Sequence, residues 1–440
     1  MSRQDAHLSA SHAGERDSHQ HRTKKSGSCH SHEERILSEH WYHSDGITPS
    51  TKFRAMKQDL PDILVLSNGD SRDPLHFGGT PKTTIDLLAD SGLSVQGASL
   101  YPNLPAAMVR GAYNLRALTF RSSFGGSQYS LLADRVRSRY ARSLPKPHMG
   151  YVHMFQLPPK SLPLENAVFY LDSILEVLWS DYGLCSHISK RERLNILARQ
   201  RENFENCRAF VMRSHRMADF LIELYGVQPN RVSVALPPPN LNLSYIESRL
   251  ASSADNERVP FKILAIARDF YRKGLDELVR ALDKGSIPVR FELRIAGLQP
   301  KDIPTAYRRP YMNALGHVDS GPPNFCLERL LLNSSAGTML SRAEMGGIAS
   351  LEYKACGVPI LWRDVGGISE FAEGSINHRV SAGASVDQLA EALHVLASAP
   401  PVSSATRLKS FHSIKNLRTA CSGTLLKSLN VLPSHPPNPT

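Results

Sequence analysis

No stretch of the 440-residue chain approaches the roughly 18 consecutive apolar residues that a membrane-spanning helix needs. The N-terminus lacks a charged start followed by an apolar run, so no secretory signal is expected. Cysteine is sparse: Cys29, Cys185, Cys207, Cys326, Cys356 and Cys421 lie far apart, and none forms a Cys-x-x-Cys pair. That spacing argues against a zinc ribbon and a disulfide scaffold, and it points to a reducing, cytoplasmic setting. Aromatic residues are 7% of the chain and are not interleaved with the basic ones, which argues against a specific nucleic-acid binder. Positive charge is what the chain has in excess. Its 52 Lys and Arg against 41 Asp and Glu give a net charge of +11, which favours an anionic partner such as a phosphorylated substrate or a membrane surface.

Residues 1–55 are rich in Ser, His and mixed charge, and a disordered tail is expected there. His19, His21, His30 and His32 lie near Cys29, but their spacing matches no closed zinc site. Beyond the tail, short apolar runs at 63–66, 151–155, 167–171 and 209–212 alternate with helical stretches such as 82–89. Leu236-Pro237-Pro238-Pro239 closes this half, and 241–258 reads as a polar linker. The pattern restarts with apolar runs at 262–267, 291–296, 338–340 and 359–362, and with helices at 275–282 and 386–399. Residues 406–440 read as a helix and a Pro-rich tail. Such alternation predicts an α/β fold of two doubly wound, Rossmann-like domains, 56–240 and 259–405. Ligands bind outside the carboxyl ends of such sheets, so two facing edges make a cleft for a donor and an acceptor.

The segment 337–370 carries the chemistry. A strand ends near Ser341, Glu344 lies in the following loop, and Gly346 and Gly347 keep that loop free of bulk. Backbone N–H groups at the next helix start can then face a phosphate. Glu352 follows eight positions after Glu344, within that helix, and Gly357 stops the helix. One carboxylate can reach a reacting sugar and the other a ribose. Earlier, Arg268 and Lys273 follow the 262–267 strand, a fork and a mobile point charge suited to a pyrophosphate.

These elements resemble the large retaining glycosyltransferase family with the GT-B fold, the fourth in the usual sequence classification. The resemblance rests on Ala267-Arg268…Lys273-Gly274, on Glu344 and Glu352, on Ala355-Cys356-Gly357-Val358-Pro359 and on Asp364-Val365-Gly366-Gly367-Ile368-Ser369-Glu370. It spans about residues 62–400 and is strongest in the second half. It implies that Arg268 and Lys273 hold the diphosphate of a UDP- or GDP-sugar, with no cofactor and no metal. It also implies that Glu344 meets the donor sugar, Gly347 and Ile348 cradle phosphate, and Glu352 binds the ribose. Gly79 would approach the donor from across the cleft, and His317 lies near the base-binding loop.

The sequence departs from that family at three places. Leu171 and Asp172 stand where the family often has a histidine, so either Asp172 or the upstream His153 takes that role, or the contact is absent. Met345-Gly346 replaces an aromatic after the first Glu, and the segment from Gly297 to Gly316 is short. The expected acceptor is a hydroxyl of a glycan, polysaccharide or lipid-linked precursor. A basic run from Arg110 through Arg116, Arg121, Arg135, Arg137, Arg139, Arg142 and Lys146 suggests peripheral contact with an anionic inner membrane face, or a plain solvated surface. A nucleotide-sugar epimerase and a non-catalytic nucleotide- or glycan-binding paralogue are the rival readings.

Overall fold

The computed structural model of the protein describes residues 60–73, 76–119, 126–182, 188–252, 260–285, 287–318 and 326–431. The tail histidines, Cys29, Arg121 and the residues after Pro433 lie outside these ranges.

The first domain runs β1 (Ile63–Ser67), α1 (Thr80–Ala89), β2 (Val95–Ser99), α2 (Asn103–Thr119), α3 (Leu131–Ala141), β3 (Gly150–His153) and β4 (Ala167–Leu171). It continues with α4 (Leu175–Asp181), α5 (Lys190–Asn206), β5 (Ala209–Met212), α6 (His215–Tyr225) and β6 (Val232–Val234). All its strands pair in parallel, in the order β2-β1-β3-β4-β5-β6. β1 and β4 are buried along their whole length, as strands covered by helices on both faces must be. Ser130 caps α3 and Ser214 caps α6, each accepting an N–H three residues on.

The second domain runs α7 (Leu243–Ser252), β7 (Phe261–Ile266), α8 (Leu275–Asp283), β8 (Phe291–Ala296), β9 (Met312–Gly316), α9 (Leu327–Leu332) and β10 (Ala336–Met339). After these come α10 (Ile348–Ala355), β11 (Ile360–Arg363), α11 (Ile368–Ala372), β12 (His378–Val380), α12 (Val386–Ser398) and α13 (Ser404–Ser428). Its parallel sheet has the order β12-β11-β10-β7-β8-β9. The strand order reverses between β7 and β10, and in the first sheet between β1 and β3. Crevices for ligands open at the carboxyl ends of such strand pairs.

Two segments differ from the sequence expectation. The stretch 241–258, read as a polar linker, contains α7; Ile246 and Leu250, four apart, bury one face against the second core. The C-terminal helix α13 leaves the second domain and returns to the first. Phe411 and Ile414 pack in the second core, whereas Cys421, Leu425 and Leu426 pack with Ile63, Val65 and Val152 in the first.

Candidate functional site: the cleft at the strand-order reversals

At the end of β7 the chain turns through Ala267–Gly274, and Asp269 holds the turn by accepting from Arg272 N at 2.9 Å. Lys273 Nζ donates to Glu344 Oε2 at 2.5 Å, and Ser341 Oγ donates to the same oxygen at 3.1 Å. Arg272 Nη1 lies 3.8 Å from that oxygen and donates to Ala343 O at 3.2 Å. Burial alone would raise the Glu344 carboxyl pKa; the Lys273 and Arg272 cations outweigh it and hold the group below the usual range. The loop after β7 and the loop after β10 are thus tied together at the reversal point of the sheet.

The Glu344 loop rests on the Asp364–Glu370 turn. Gly366 and Gly367 press against the Glu344 and Met345 carbonyl oxygens so closely that a Cβ at either position would collide with them. Gly347 adopts φ 77° at the head of α10 and lets the loop enter that helix. Arg342 anchors the loop's other side, donating to both Asp276 carboxylate oxygens at 2.8 Å and to Glu277 at 2.7 Å. Arg363 also reaches Glu277.

Glu352 sits in α10 and is buried. Burial first, and then the neighbouring Glu328 carboxylate, push its pKa up to about 7; Arg268 and Lys273 offset part of this. Arg268 itself is exposed. Ile348 is the first residue of α10. His317 follows β9 and is exposed; residues 319–325 beside it lie outside the described ranges.

Across the cleft, Phe77, Gly78 and Gly79 are successive left-handed residues at the head of α1, with φ 49°, 62° and 78°. They stand at the carboxyl-end crevice of the first sheet. Asp172 follows β4 half-buried. His153 is fully buried beside the Tyr151 and Phe169 rings, and neither ring nitrogen has a hydrogen-bond partner. Burial lowers its pKa to about 3, so it stays neutral. Of the two acceptor-side candidates, only Asp172 reaches the surface.

Arg272, Tyr182, Glu328 and the contact of Glu370 with the first domain were not expected from the sequence, and Met345 was marked only as a departure in the loop after Glu344. Arg272 was legible as a third cation between Arg268 and Lys273. The others depend on contacts between distant segments and left no local signal.

Residues 252–410 match the family model described as glycosyl transferases group 1. The chain is a glycosyltransferase with a group 1 second domain. No curated protein matches it. Among solved structures it is similar to WaaG, a glycosyltransferase involved in lipopolysaccharide biosynthesis, at 15% identity and TM-score 0.56, covering 85% of this chain and 100% of WaaG. It is also similar to Anabaena Alr3699/HepE, solved in complex with UDP and glucose, at 15% identity and TM-score 0.55, covering 84% and 99% of the two chains. A Rickettsia africae glycosyltransferase matches at 13% identity and TM-score 0.50, covering 85% and 99%. These likenesses establish the GT-B fold, with the group 1 domain supplying the Lys273–Glu344 side of the cleft.

Proposed function

We propose that this glycosyltransferase moves a sugar from a UDP- or GDP-sugar to a hydroxyl of a glycan, polysaccharide or lipid-linked acceptor, with retention at the anomeric carbon and without a metal. The observation that carries the reading is the meeting of Lys273, Arg272 and Glu344 at the point where the second sheet reverses order, beside the head of α10. Support for a uridine donor comes from HepE, whose structure holds UDP and glucose.

In this reading the donor diphosphate lies between Arg268, Lys273 and the Gly347–Ile348 amides. As the anomeric C–O bond breaks, charge grows on the departing diphosphate. Fixed cations and N–H groups stabilise that charge without solvent having to reorganise. Lys273 keeps two further N–H donors while paired with Glu344, so one side chain can serve both the carboxylate and the phosphate. Glu344 faces the donor sugar and Glu352 the ribose. The departing phosphate oxygen takes the acceptor proton on the same face, and the new bond forms there. Asp172 borders the acceptor side. The test is incubation with UDP-glucose and GDP-mannose in EDTA, with an acceptor panel, read by proton NMR of the first-formed product. Nucleotide release with a retained anomeric configuration is expected. Inversion, or turnover only with added divalent metal, contradicts the reading.

Contact with an anionic membrane face is part of this proposal. On α2, Leu104 and Met108 are 75% and 69% exposed, and Leu131 and Leu132 open α3 at 66% and 45%. Arg135, Arg139 and Arg142 are exposed on and just after α3. Arg137, from the same basic run, points inward instead: it donates to Gln128 O at 2.7 Å and stacks on Tyr101 and Phe155. An apolar face beside basic side chains suits the interface of an anionic bilayer. Each cation there contributes about 1 kcal/mol. Co-sedimentation with phosphatidylglycerol-containing vesicles, and not with phosphatidylcholine alone, is expected. Arg135→Glu with Arg139→Glu should abolish it. Equal recovery with both vesicle types removes the membrane contact. Among the described residues, no helix is long and apolar enough to cross a bilayer.

A further inference from the structure

The loop that carries Glu344 belongs to the second domain, yet its next residue is held by the first. The Met345 side chain is 2% exposed and packs among Leu171, Ile174, Val177, Phe204 and Met212, all first-domain residues. Ser173 Oγ lies 3.4 Å from its sulfur. Met345 N donates to Tyr182 Oη at 3.1 Å. The Tyr182 ring lies under the Arg272 guanidinium, 5.2 Å from ring centre to Cζ. A single tyrosine therefore touches the amide beside Glu344 and one of the two cations that face its carboxylate. A second contact holds the domains in this arrangement. Glu370 accepts from His215 N at 2.6 Å and Arg216 N at 3.0 Å, capping α6 from across the cleft. His215 Nδ1 joins it at 2.9 Å.

We infer that Tyr182 is a positioning residue for the donor loop, fixing the Glu344–Met345 backbone and Arg272 so that the diphosphate meets a finished site only while the domains are docked. The inference rests on the donor reading above. Without the Tyr182 hydroxyl, the Met345 amide loses its acceptor and the loop is freer to leave the geometry that Lys273 and Arg272 require. The ring and its stacking on Arg272 survive in Tyr182→Phe. Such a change should weaken binding at the diphosphate and spare binding of the nucleoside, whose ribose the donor reading assigns to Glu352.

The experiment is calorimetric titration of the full chain with UDP and UMP, and in parallel with GDP and GMP. In Tyr182→Phe we expect the diphosphate affinity to fall about tenfold, the effect of one lost half-buried hydrogen bond, with the monophosphate affinity unchanged. Glu370→Gln, which weakens the domain contact and leaves every donor-loop side chain in place, should give the same selective loss in smaller measure; it also serves if Tyr182→Phe does not fold. A wild-type ratio of diphosphate to monophosphate affinity in both variants overturns the inference, as does an equal loss of both ligands. Wild-type protein that binds no nucleotide overturns the donor reading itself, and this inference with it.

Discussion

In Lys273→Met, release of nucleotide from the donor sugar is expected to fall by about 10²–10³, the range seen when one preorganised charge-stabilising donor is removed from a transition state. Methionine keeps the length and apolar stem of lysine, so the loss isolates the charge. The same substitution leaves the Glu344 carboxylate with Arg272 at 3.8 Å as its nearest cation. The Glu344 pKa then rises toward its burial-driven value, so residual activity should need a higher pH than in the wild type. Lys284→Met, at an exposed lysine paired with Asp387 on the same domain, serves as the control and should change nothing. An unchanged pH profile with unchanged turnover in Lys273→Met would take the diphosphate away from this loop.

Glu352→Gln should make the empty protein more stable and a poorer nucleotide binder at once. Its folded-state pKa of about 7 lies above the ordinary glutamate value of 4.5. The folded protein therefore retains a proton that the unfolded chain releases between those values, and stability falls as pH rises through that window. The effect is present in full below the lower value and lost above the upper one, amounting to about 3 kcal/mol at most. Glutamine mimics the protonated form and removes this pH dependence. At pH 8 the variant should melt several degrees higher than the wild type, and at pH 4 the two should coincide. Nucleotide affinity should fall about tenfold, because the ribose hydroxyls lose a charged acceptor. Glu328, Arg268 and Lys273 are the charged groups that set the Glu352 pKa, so Glu328→Gln should reproduce part of the stability gain. Equal melting temperatures at pH 8 would contradict the raised pKa of Glu352.

Much of the fold was legible because a buried parallel strand needs an apolar run and a covering helix needs a 3.6-residue period. The runs at 167–171, 209–212 and 291–296 coincide with β4, β5 and β8 to the residue. α7 was not legible, since Ile246 and Leu250 are two apolar positions in a polar stretch that composition alone reads as linker. The return of α13 to the first domain was hidden for another reason: Leu425 and Leu426 show that a face is buried, not which core receives it.

The site divides in the same way. Arg268, Lys273, Glu344 and Gly347 lie in two short segments at strand ends, where spacing along the chain translates directly into nearness in space. Tyr182 lies 163 positions from Met345, and nothing around it in the sequence marks it as a partner of that amide. Glu370 was visible within a motif, but its task, capping a helix of the other domain, needs the docked fold to be seen. Arg137 reads as one more cation in a basic run until the fold buries it against Tyr101 and Phe155.

The central claim is that Lys273 and its loop receive a nucleotide diphosphate without a metal. Calorimetric titration of wild type and Lys273→Met with UDP and GDP, in EDTA, tests it most directly. One of the two nucleotides is expected to bind the wild type with divalent ions removed, and to bind Lys273→Met at least about tenfold more weakly. Binding that requires added magnesium and is indifferent to Lys273 would contradict it.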